Sequence, residues 1–191
     1  MDYVTIDFEA SCLPRHGLSF PIEVGLCGPE GVVSWLIKPD PAWADWSWTE
    51  EAAGLHRITR EELERNGLPP AQVFAELLQH LDGRRVVADS TLDSYWWNTL
   101  AGAAGFDCPS PILHVGEILD ALRAQPADIM AAQAHADELC PARHRAGQDA
   151  LWLWTLLRKL EQIAADREAL SADWHGQTPP SRGPAMLPAS L

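Results

Sequence analysis

The sequence predicts an α/β fold in which a central mixed five-stranded β-sheet, with its first three strands antiparallel, is flanked by α-helices. Three apolar runs open the chain, and the turn residues Gly28-Pro29-Glu30-Gly31 separate the last two of them. Further along, short apolar runs alternate with helical patterns. Strands first, and then alternating strands and helices, indicate one mixed sheet with helices packed on it.

The expected strands occupy residues 2–9, 22–27, 32–37, 85–88 and 112–115. Period-two alternation and turn signals define the first three, which are close enough in sequence to pair with one another. The last two are short and apolar, as buried strands are, and helical segments surround them.

Helix signals account for most of the remaining chain. Thr59 is placed to cap a helix, with Glu62 as its capping-box partner, and Gly67 ends that helix. The next helix runs from Pro70 to Gly83, and its expected apolar stripe consists of Val73, Phe74, Leu77, Leu78 and Leu81. Later helices are expected over residues 93–104, 116–123, 127–139 and 146–170, the last with a stripe of Trp152, Leu156, Leu160 and Ile163.

The 191 residues and the 47% hydrophobic content fit one domain with a buried core, which we place at residues 1–172. The Pro- and Gly-rich residues 173–191 are expected to form a flexible tail. The acidic start does not resemble a signal peptide, and no apolar run has membrane-spanning length. Four cysteines without a C-x-x-C pair are typical of free thiols in a reducing compartment, so the expected location is the cytoplasm.

The formal net charge of −13 argues against broad, non-specific binding to long DNA, because such binding usually needs a basic surface. The charge does not exclude a substrate that carries phosphate, since bound metal ions can supply positive charge locally. Any recognition of phosphate is therefore expected to involve metal ions.

Asp7 and Glu9, at the end of the first apolar run, are the most informative residues of the sequence. Side chains alternate along a strand, so both carboxylates point to the same face. The two like charges repel each other unless a cation lies between them, and hard carboxylate oxygens suit magnesium or manganese. The alternative is a strand end with a solvated acidic face.

Two later segments carry further acids. Asp89 and Asp93 follow the fourth strand at its carboxyl end, where α/β sheets commonly bind ligands. His144 and Asp149 stand in an H-x-A-x-x-D pattern at the start of the longest helix, where the small pair Ala146-Gly147 allows a close approach. A carboxylate in the first turn of a helix is favoured electrostatically even without chemistry, which is the alternative for Asp149.

Together these motifs resemble the DEDDh class of 3′→5′ exonucleases, which have a ribonuclease H-like fold and include ribonuclease T, oligoribonuclease and the proofreading subunit of bacterial replicases. The resemblance depends on Asp7-x-Glu9, then Asp93, then His144 with Asp149 five residues later. The supporting segments are residues 7–11, 20–25 and 55–59, the last of which resembles the His-x-Ile-Thr element of the class. The match covers about residues 2–160.

The resemblance implies hydrolysis of phosphodiester bonds by a two-metal mechanism. Asp7, Glu9, Asp93 and Asp149 would hold two divalent ions, Mg²⁺ or Mn²⁺, and His144 would act as the general base. An imidazole with an ordinary pKa of about 6.5 can accept a proton at neutral pH. The products would be nucleoside 5′-monophosphates, released one at a time from the 3′ end.

The middle motif departs from the pattern of the class. Many members carry His-Asn before the third acid, where this chain has Asp89-Ser90 and a spacing to Asp93 that is one residue short. Asp89 is therefore a rival to Asp93 as a metal ligand.

The candidate contacts for a substrate are Phe8, Ala10, Leu13, Phe20, His56 and Asp89. Leu13 and Phe20 would wedge against a terminal base, and His56 would pack near the terminal nucleotide. Phe8 alternates away from the two acids, which also favours a place in the core. The alternative for His56 is a loop histidine that caps a helix.

Two further patterns suggest other contacts. Trp43, Trp46 and Trp48, in the expected loop of residues 39–48, are candidates for contact with a ligand or partner, although hydrophobic anchoring of the loop is favoured. Two C-x-x-x-H pairs, Cys12 with His16 and Cys140 with His144, provide the ligand types of a tetrahedral structural zinc site.

The leading hypothesis is a metal-dependent 3′→5′ exonuclease that acts on single-stranded RNA or short oligonucleotides. One alternative is a DNA-directed trimming or proofreading exonuclease. Another, from a different class, is a catalytically silent module that binds nucleic acid or protein. No membrane partner is expected, and the sequence leaves a homodimer open.

Overall fold

The computed structural model describes residues 2–107 and 109–176, with side chains up to residue 170. Met1, Cys108 and residues 177–191 lie outside this description, so the expected flexibility of the tail falls outside the described residues from residue 177 onward. The last helix continues to Gly176, beyond its expected end at residue 170.

The described residues form one sheet of five strands in the order β3-β2-β1-β4-β5. The strands are β1 (Tyr3–Ala10), β2 (Pro21–Gly28), β3 (Gly31–Leu36), β4 (Arg85–Ala88) and β5 (Ile112–His114). β1, β2 and β3 pair in an antiparallel manner, whereas β4 runs parallel to β1 and β5 runs parallel to β4. The mixed sheet and its three antiparallel first strands confirm the predicted fold class.

The helices are α1 (Glu50–His56), α2 (Arg60–Asn66), α3 (Pro70–Leu81), α4 (Leu92–Ala103), α5 (Val115–Ala121), α6 (Pro126–Leu139) and α7 (Ala146–Gly176). The Thr59 hydroxyl accepts a hydrogen bond from the Glu62 backbone N–H at 3.1 Å, which confirms the predicted cap of α2. The sequence analysis did not predict α1. Thr49 caps α1 in the same way, through the backbone N–H of Ala52.

The side chains of β1 divide between two cores on opposite faces of the sheet. Val4, Ile6, Phe8 and Ala10 join one core with side chains of α3 and α4. Tyr3 belongs to the other core, with α6 and α7, and the Thr5 hydroxyl donates to the backbone carbonyl of Ala150 at 2.7 Å. By the same alternation Asp7 and Glu9 lie on the face that α7 covers, as the sequence predicts.

The start of α7 packs against β2 in direct backbone contact. A Cβ atom built on Gly25 would lie 2.3 Å from the backbone nitrogen of Gly147, so only glycine fits at this position of β2. Gly147 is also close to β3, since its own Cβ would lie 3.2 Å from the Cβ of Ser34. The close approach expected at Ala146-Gly147 is therefore made by the sheet backbone, and it brings the first turn of α7 to the sheet.

Two predicted apolar stripes need correction. Leu78 is 38% exposed, although Val73, Phe74, Leu77 and Leu81 of the α3 stripe are buried as predicted. The large buried side chains of α7 are those of Leu153, Leu156, Leu157 and Leu160, so the predicted stripe was wrong in including Trp152 and Ile163, which are only partly buried. Trp152 lies at the edge of the core because its indole N–H donates to the Asp137 carboxylate at 2.8 Å.

The tryptophan-rich loop is anchored to the core. Trp43 is 4% exposed and stacks on Phe20 with ring centroids 5.5 Å apart. Trp46 packs on Trp43 in turn. The favoured interpretation, hydrophobic anchoring, is confirmed for Trp43. Within the described residues, no helix has both the length and the apolar character needed to cross a bilayer.

Candidate active site

Five carboxylates converge at one edge of the sheet. One oxygen from each of Asp7, Glu9 and Asp149 lies within 4.8 Å of the others, and the same holds for Asp7, Asp89 and Asp93. We call these sets the first and the second triad, and Asp7 belongs to both. The structure thus brings together all four acids that the sequence analysis proposed as ligands. It also adds Asp89 beside Asp93, so the two rivals of the middle motif share one site.

Each acid is placed by a different element. Asp7 and Glu9 lie near the end of β1, where a register shift between Glu9 and Ala10 interrupts the pairing with β2. Asp89 directly follows β4, and Asp93 lies in the first turn of α4. Asp149 lies in the first turn of α7, which the contact at Gly25 holds against the sheet. Because β1 and β4 are parallel neighbours, their carboxyl ends meet at the same edge.

The crowded acids hold protons more tightly than ordinary carboxyl groups do. Burial, followed by the charges of Asp93 and Asp149, raises the pKa of Asp7 well above its usual range. Burial and the neighbouring Asp149 raise the pKa of Glu9 to about 7. Burial and the charge of Asp89 raise the pKa of Asp93 to about 8. The site is therefore short of positive charge at neutral pH.

This donor set fits hard divalent cations. All the ligand atoms are carboxylate oxygens, which magnesium and manganese prefer. Asp93 is 1% exposed, and its Oδ2 has no hydrogen-bond partner among the described residues. A buried carboxylate oxygen without a partner is costly, and a bound cation would satisfy it. Two dications sharing Asp7 would also neutralise most of the carboxylate charge.

His144 lies beside Asp149 in an exposed loop between α6 and α7. Its backbone is left-handed, with φ 64°, and its N–H donates to Asp149 Oδ2 at 2.8 Å. Arg143 forms an ion pair with the other oxygen of Asp149, and its guanidinium stacks 4.4 Å from the centroid of the Trp152 ring. His144 is exposed, so its imidazole is open to solvent.

Sequence reasoning did not identify Glu23, which fixes the end of this loop. Glu23 is 2% exposed and forms a bidentate ion pair with Arg145, at 2.8 and 2.9 Å. It also accepts the backbone N–H of Ala146, the first residue of α7, at 3.0 Å. Glu23 is paired across β1 and β2 with Glu9, so the Arg145 charge offsets a repulsion between neighbouring carboxylates.

A groove of about 130 Å³ is lined in part by Glu9, whereas Asp149 and Asp89 are not among its lining residues. Four of the candidate substrate contacts line it, namely Phe8, Ala10, Leu13 and His56. Phe8 is only 5% exposed, so it serves both the core and the groove floor. Phe20 does not line this groove, because it is 1% exposed and packed under Trp43. Asp89 lies in the second triad instead.

Sequence reasoning missed other residues of this groove. They include Thr49, Ala52, Leu55 and Trp96. Most of them belong to α1 or its cap, an element that was not predicted. The resemblance of residues 55–59 to the His-x-Ile-Thr element is the signal in the sequence that pointed to this surface.

His56 is buried at the C-terminal end of α1, and one of its two ring nitrogens has no hydrogen-bond partner among the described residues. It is 3% exposed, and its Nδ1 accepts the backbone N–H of Ile58 at 3.0 Å. Burial lowers the pKa of His56 to about 4, so the ring is neutral and Nε2 carries the hydrogen. Nε2 is itself buried and has no partner among the described residues, although His56 is one of the residues that line the groove.

The alternative zinc site does not form. Cys12, which is 1% exposed, directs its sulfur toward the Leu18 carbonyl, and the Cys140 sulfur lies 3.5 Å from the Thr155 hydroxyl. Among the described residues, the metal-sized groups of ligand atoms are the two acidic triads, and neither contains a cysteine. Cys12, Cys27 and Cys140 are free thiols.

Comparison with known proteins places the fold. No family model and no curated protein matches the chain. A 3′-exonuclease solved in a study of histone mRNA stem-loop recognition is 17% identical over 86% of this chain and 81% of that chain, with a TM-score of 0.59. S. pombe Pop2p, in its Mg²⁺- and Mn²⁺-bound form, is 17% identical over 86% of this chain and 83% of that chain, with a TM-score of 0.54.

E. coli exonuclease I in complex with a dT13 oligonucleotide is 13% identical over 92% of this chain, with a TM-score of 0.60. The match covers 44% of that protein, so this chain spans less than half of its length. These likenesses show that the chain shares its fold with these three proteins. The ribonuclease H-like α/β fold predicted from the sequence is confirmed.

Proposed function

We propose that this protein is a metal-dependent 3′→5′ exonuclease of the DEDDh class, which releases nucleoside 5′-monophosphates from single-stranded RNA or short oligonucleotides. The observation that carries the proposal is the convergence of Asp7, Glu9, Asp93 and Asp149 from three distant segments onto one sheet edge, with His144 beside them. A structural role does not account for so many repelling carboxylates, since their mutual repulsion costs stability.

The acids would hold two divalent ions, Mg²⁺ or Mn²⁺, one at each triad. Such ions, when bound, neutralise the charge that develops on the phosphate and lower the pKa of a bound water. The role of the protein is to keep the carboxylates close together and correctly oriented, so that the ions can displace their protons. Asp7, which both triads share, fixes the relation between the two sites.

His144 is proposed as the general base. A water oxygen would attack phosphorus while its proton passes to the imidazole of His144. The bond from phosphorus to the 3′ oxygen of the preceding nucleotide would break, and that oxygen would leave as an alkoxide and take a proton from solvent to become the new 3′-hydroxyl. The hydrogen bond from the His144 backbone to Asp149 holds residue 144 next to the first triad, and rotation of the exposed side chain would bring the imidazole to the attacking water. An exposed imidazole returns its proton to solvent after each turnover.

The groove beside Glu9 is proposed to hold the terminal nucleotide. Its floor is apolar, with Phe8 and Leu13, and suits one face of a base. The unused Nε2–H of His56 suits an acceptor on the base or sugar. The net charge of −13 favours short substrates over long nucleic acid, because broad binding to long DNA usually needs a basic surface.

Further expectations from the sequence belong to the same proposal. Residues 1–172 would form the exonuclease domain, and the free thiols of Cys12, Cys27 and Cys140 suit the reducing cytoplasm. The partner would be the 3′ end of single-stranded RNA or DNA, and a homodimer is left open. A DNA-directed trimming enzyme and a silent binding module on the same fold remain as alternatives for the experiment to separate.

Digestion of end-labelled oligomers tests the proposal. RNA and DNA oligomers, short and long, carry the label at either end and are incubated with magnesium or manganese. We expect 3′-labelled substrate to release labelled mononucleotide at once, while 5′-labelled substrate shortens stepwise. Preference for DNA would favour the trimming enzyme. Binding without cleavage in manganese would favour the silent module, and internal cuts would contradict an exonuclease.

A further inference from the structure

We propose that Asp89 is a direct ligand of the second divalent ion, so that the second triad holds its ion before any nucleic acid binds. This inference deepens the proposed function and rests on it for the identity of the ions. It concerns the position at which this chain departs from the sequence pattern of the class, namely Asp89-Ser90 in place of His-Asn.

The geometry of the second triad carries the inference. Asp7, Asp89 and Asp93 each offer an oxygen, and these oxygens lie within 4.8 Å of one another, as in the first triad. Asp93 indicates independently that a cation belongs at this site. The residue is 1% exposed, and its buried Oδ2 has no hydrogen-bond partner among the described residues. A cation between the three carboxylates would satisfy that oxygen.

The position of Asp89 is held by the sheet. Its backbone carbonyl accepts the Nε2–H of His114, at the end of β5, at 3.1 Å. The other nitrogen of that ring, Nδ1, accepts the backbone N–H of Gly116, which fixes the tautomer that donates to Asp89. The exposed Asp89 side chain therefore starts from a fixed backbone next to the end of β4.

Charge balance distinguishes the two triads. In the first triad Asp149 is paired with Arg143, and the nearby Glu23 is paired with Arg145. In the second triad no Lys or Arg among the described residues forms an ion pair with Asp7, Asp89 or Asp93, although the charge of Arg143 acts on Asp89 from a distance and lowers its pKa against the larger effect of burial. Its carboxylates therefore need a cation from solution more than those of the first triad do.

The number of ligands decides when the second ion binds. Magnesium sites built from one or two carboxylates are commonly completed by substrate phosphates, so such an ion arrives with its substrate. A third carboxylate supplies both a ligand and a negative charge in advance. With Asp89 in place, we expect two ions per chain in the absence of nucleic acid.

Titration of the metal-free protein with Mn²⁺, without nucleic acid, tests this inference. Calorimetry gives the stoichiometry, and electron paramagnetic resonance of the free Mn²⁺ checks it independently. We expect two ions to bind the unsubstituted chain. In Asp89→Asn one ion should bind as before, and the second should bind at least about tenfold more weakly. Even the loss of a group that only hydrogen-bonds to a metal ligand costs about 10–100-fold in affinity.

The matched control is Asp120→Asn, which removes the same charge from an exposed acid of α5 outside both triads. It should bind both ions normally. Thermal melting of the metal-free variants checks their folding. Because the Asp89 side chain is exposed, Asp89→Asn is not expected to impair folding.

Either of two results would overturn the inference: a single Mn²⁺ per unsubstituted chain, or two ions with unchanged affinities in Asp89→Asn. These outcomes are separate from those of the digestion experiment. Two ions and a weakened Asp89→Asn variant without any cleavage would contradict the nuclease function and leave the ligand assignment standing. Cleavage with unchanged Mn²⁺ binding in Asp89→Asn would contradict the ligand assignment and leave the nuclease function standing.

Discussion

The end of β1 and the loop of residues 140–145 both contribute to the acidic site, but they are held in very different ways. β1 lies inside the sheet, paired on both sides, and its side chains Ile6 and Phe8 are buried next to the acids. Residues 141–145 of the loop are exposed, and His144 adopts a left-handed backbone.

The difference separates two tasks of the proposed enzyme. The ligands Asp7 and Glu9 are fixed by the sheet, as sharing a metal ion requires. The proposed base, His144, depends on a few contacts made through Asp149 and Glu23. We therefore expect substitutions in β1 to act on metal binding and substitutions around the loop to act on turnover alone.

Asp7→Ala should have the largest effect, because Asp7 belongs to both triads. Turnover should fall to the background, and Mn²⁺ binding should be lost at both sites. The metal-free protein should be as stable as before or more stable, since Asp7 is pushed toward protonation by its buried and acidic surroundings. Activity assays, Mn²⁺ titration and thermal melting measure the three effects. Residual turnover near the original level would exclude Asp7 as a shared ligand.

His144→Ala should come next and should separate the two regions most clearly. We expect turnover at neutral pH to fall by about 10²–10⁴-fold, which is the usual contribution of a general base. Mn²⁺ affinity should be nearly unchanged, since the hydrogen bond to Asp149 comes from the His144 backbone and not from its ring. Single-turnover kinetics with parallel Mn²⁺ titration would check both. Unchanged activity would remove His144 as the base.

Glu23→Gln should have a smaller effect of the same kind. It removes the ion pair with Arg145 and weakens the contact that holds the start of α7. We expect kcat to fall by about tenfold, with KM and Mn²⁺ affinity little changed, because small displacements of a catalytic group are costly. Glu64→Gln, which breaks the exposed pair with Lys38, is the control and should have no effect. An equal loss of Mn²⁺ binding and kcat would place Glu23 with the metal ligands instead.

The smallest effect concerns pH. The folded pKa values of Glu9, about 7, and Asp93, about 8, lie above the ordinary values of 4.5 and 3.8. The folded state then binds more protons than the unfolded state over that interval, so metal-free stability should fall as pH rises from about 6 to about 8.5. Divalent ions displace these protons, so Mn²⁺ should stabilise the protein more at the higher pH. Melting temperatures with chelator and with Mn²⁺ test both slopes. A chelated protein that gains stability over this range would contradict the raised pKa values.

The same contrast explains what the sequence could predict. The strands and the acids of β1 follow from local alternation, and Thr59 capped its helix as expected. The helix α1 could not be foreseen, because it is short, contains Gly54 and leaves Leu55 exposed. Because α1 was not predicted, the sequence did not identify most of the residues that it contributes to the groove.

Long-range pairing was the other obstacle. Glu23 lies 122 residues before Arg145, and nothing local indicates that the two side chains meet. Phe20 was proposed as a substrate contact from its nearness to the first motif, but its stacking on Trp43 is decided by the tertiary fold. The acids were easier to identify than the residues that hold them in place. The spacing of acids within each motif can be read locally in the sequence, whereas packing depends on contacts between distant parts of the chain.

Diffraction from crystals soaked in Mn²⁺, with data collected at the manganese absorption edge, tests the central claim most directly. We predict two anomalous peaks about 3.5–4 Å apart, the usual spacing of paired catalytic ions. One should lie among Asp7, Glu9 and Asp149, and the other among Asp7, Asp89 and Asp93. The absence of any peak at these carboxylates at saturating Mn²⁺ would contradict the account.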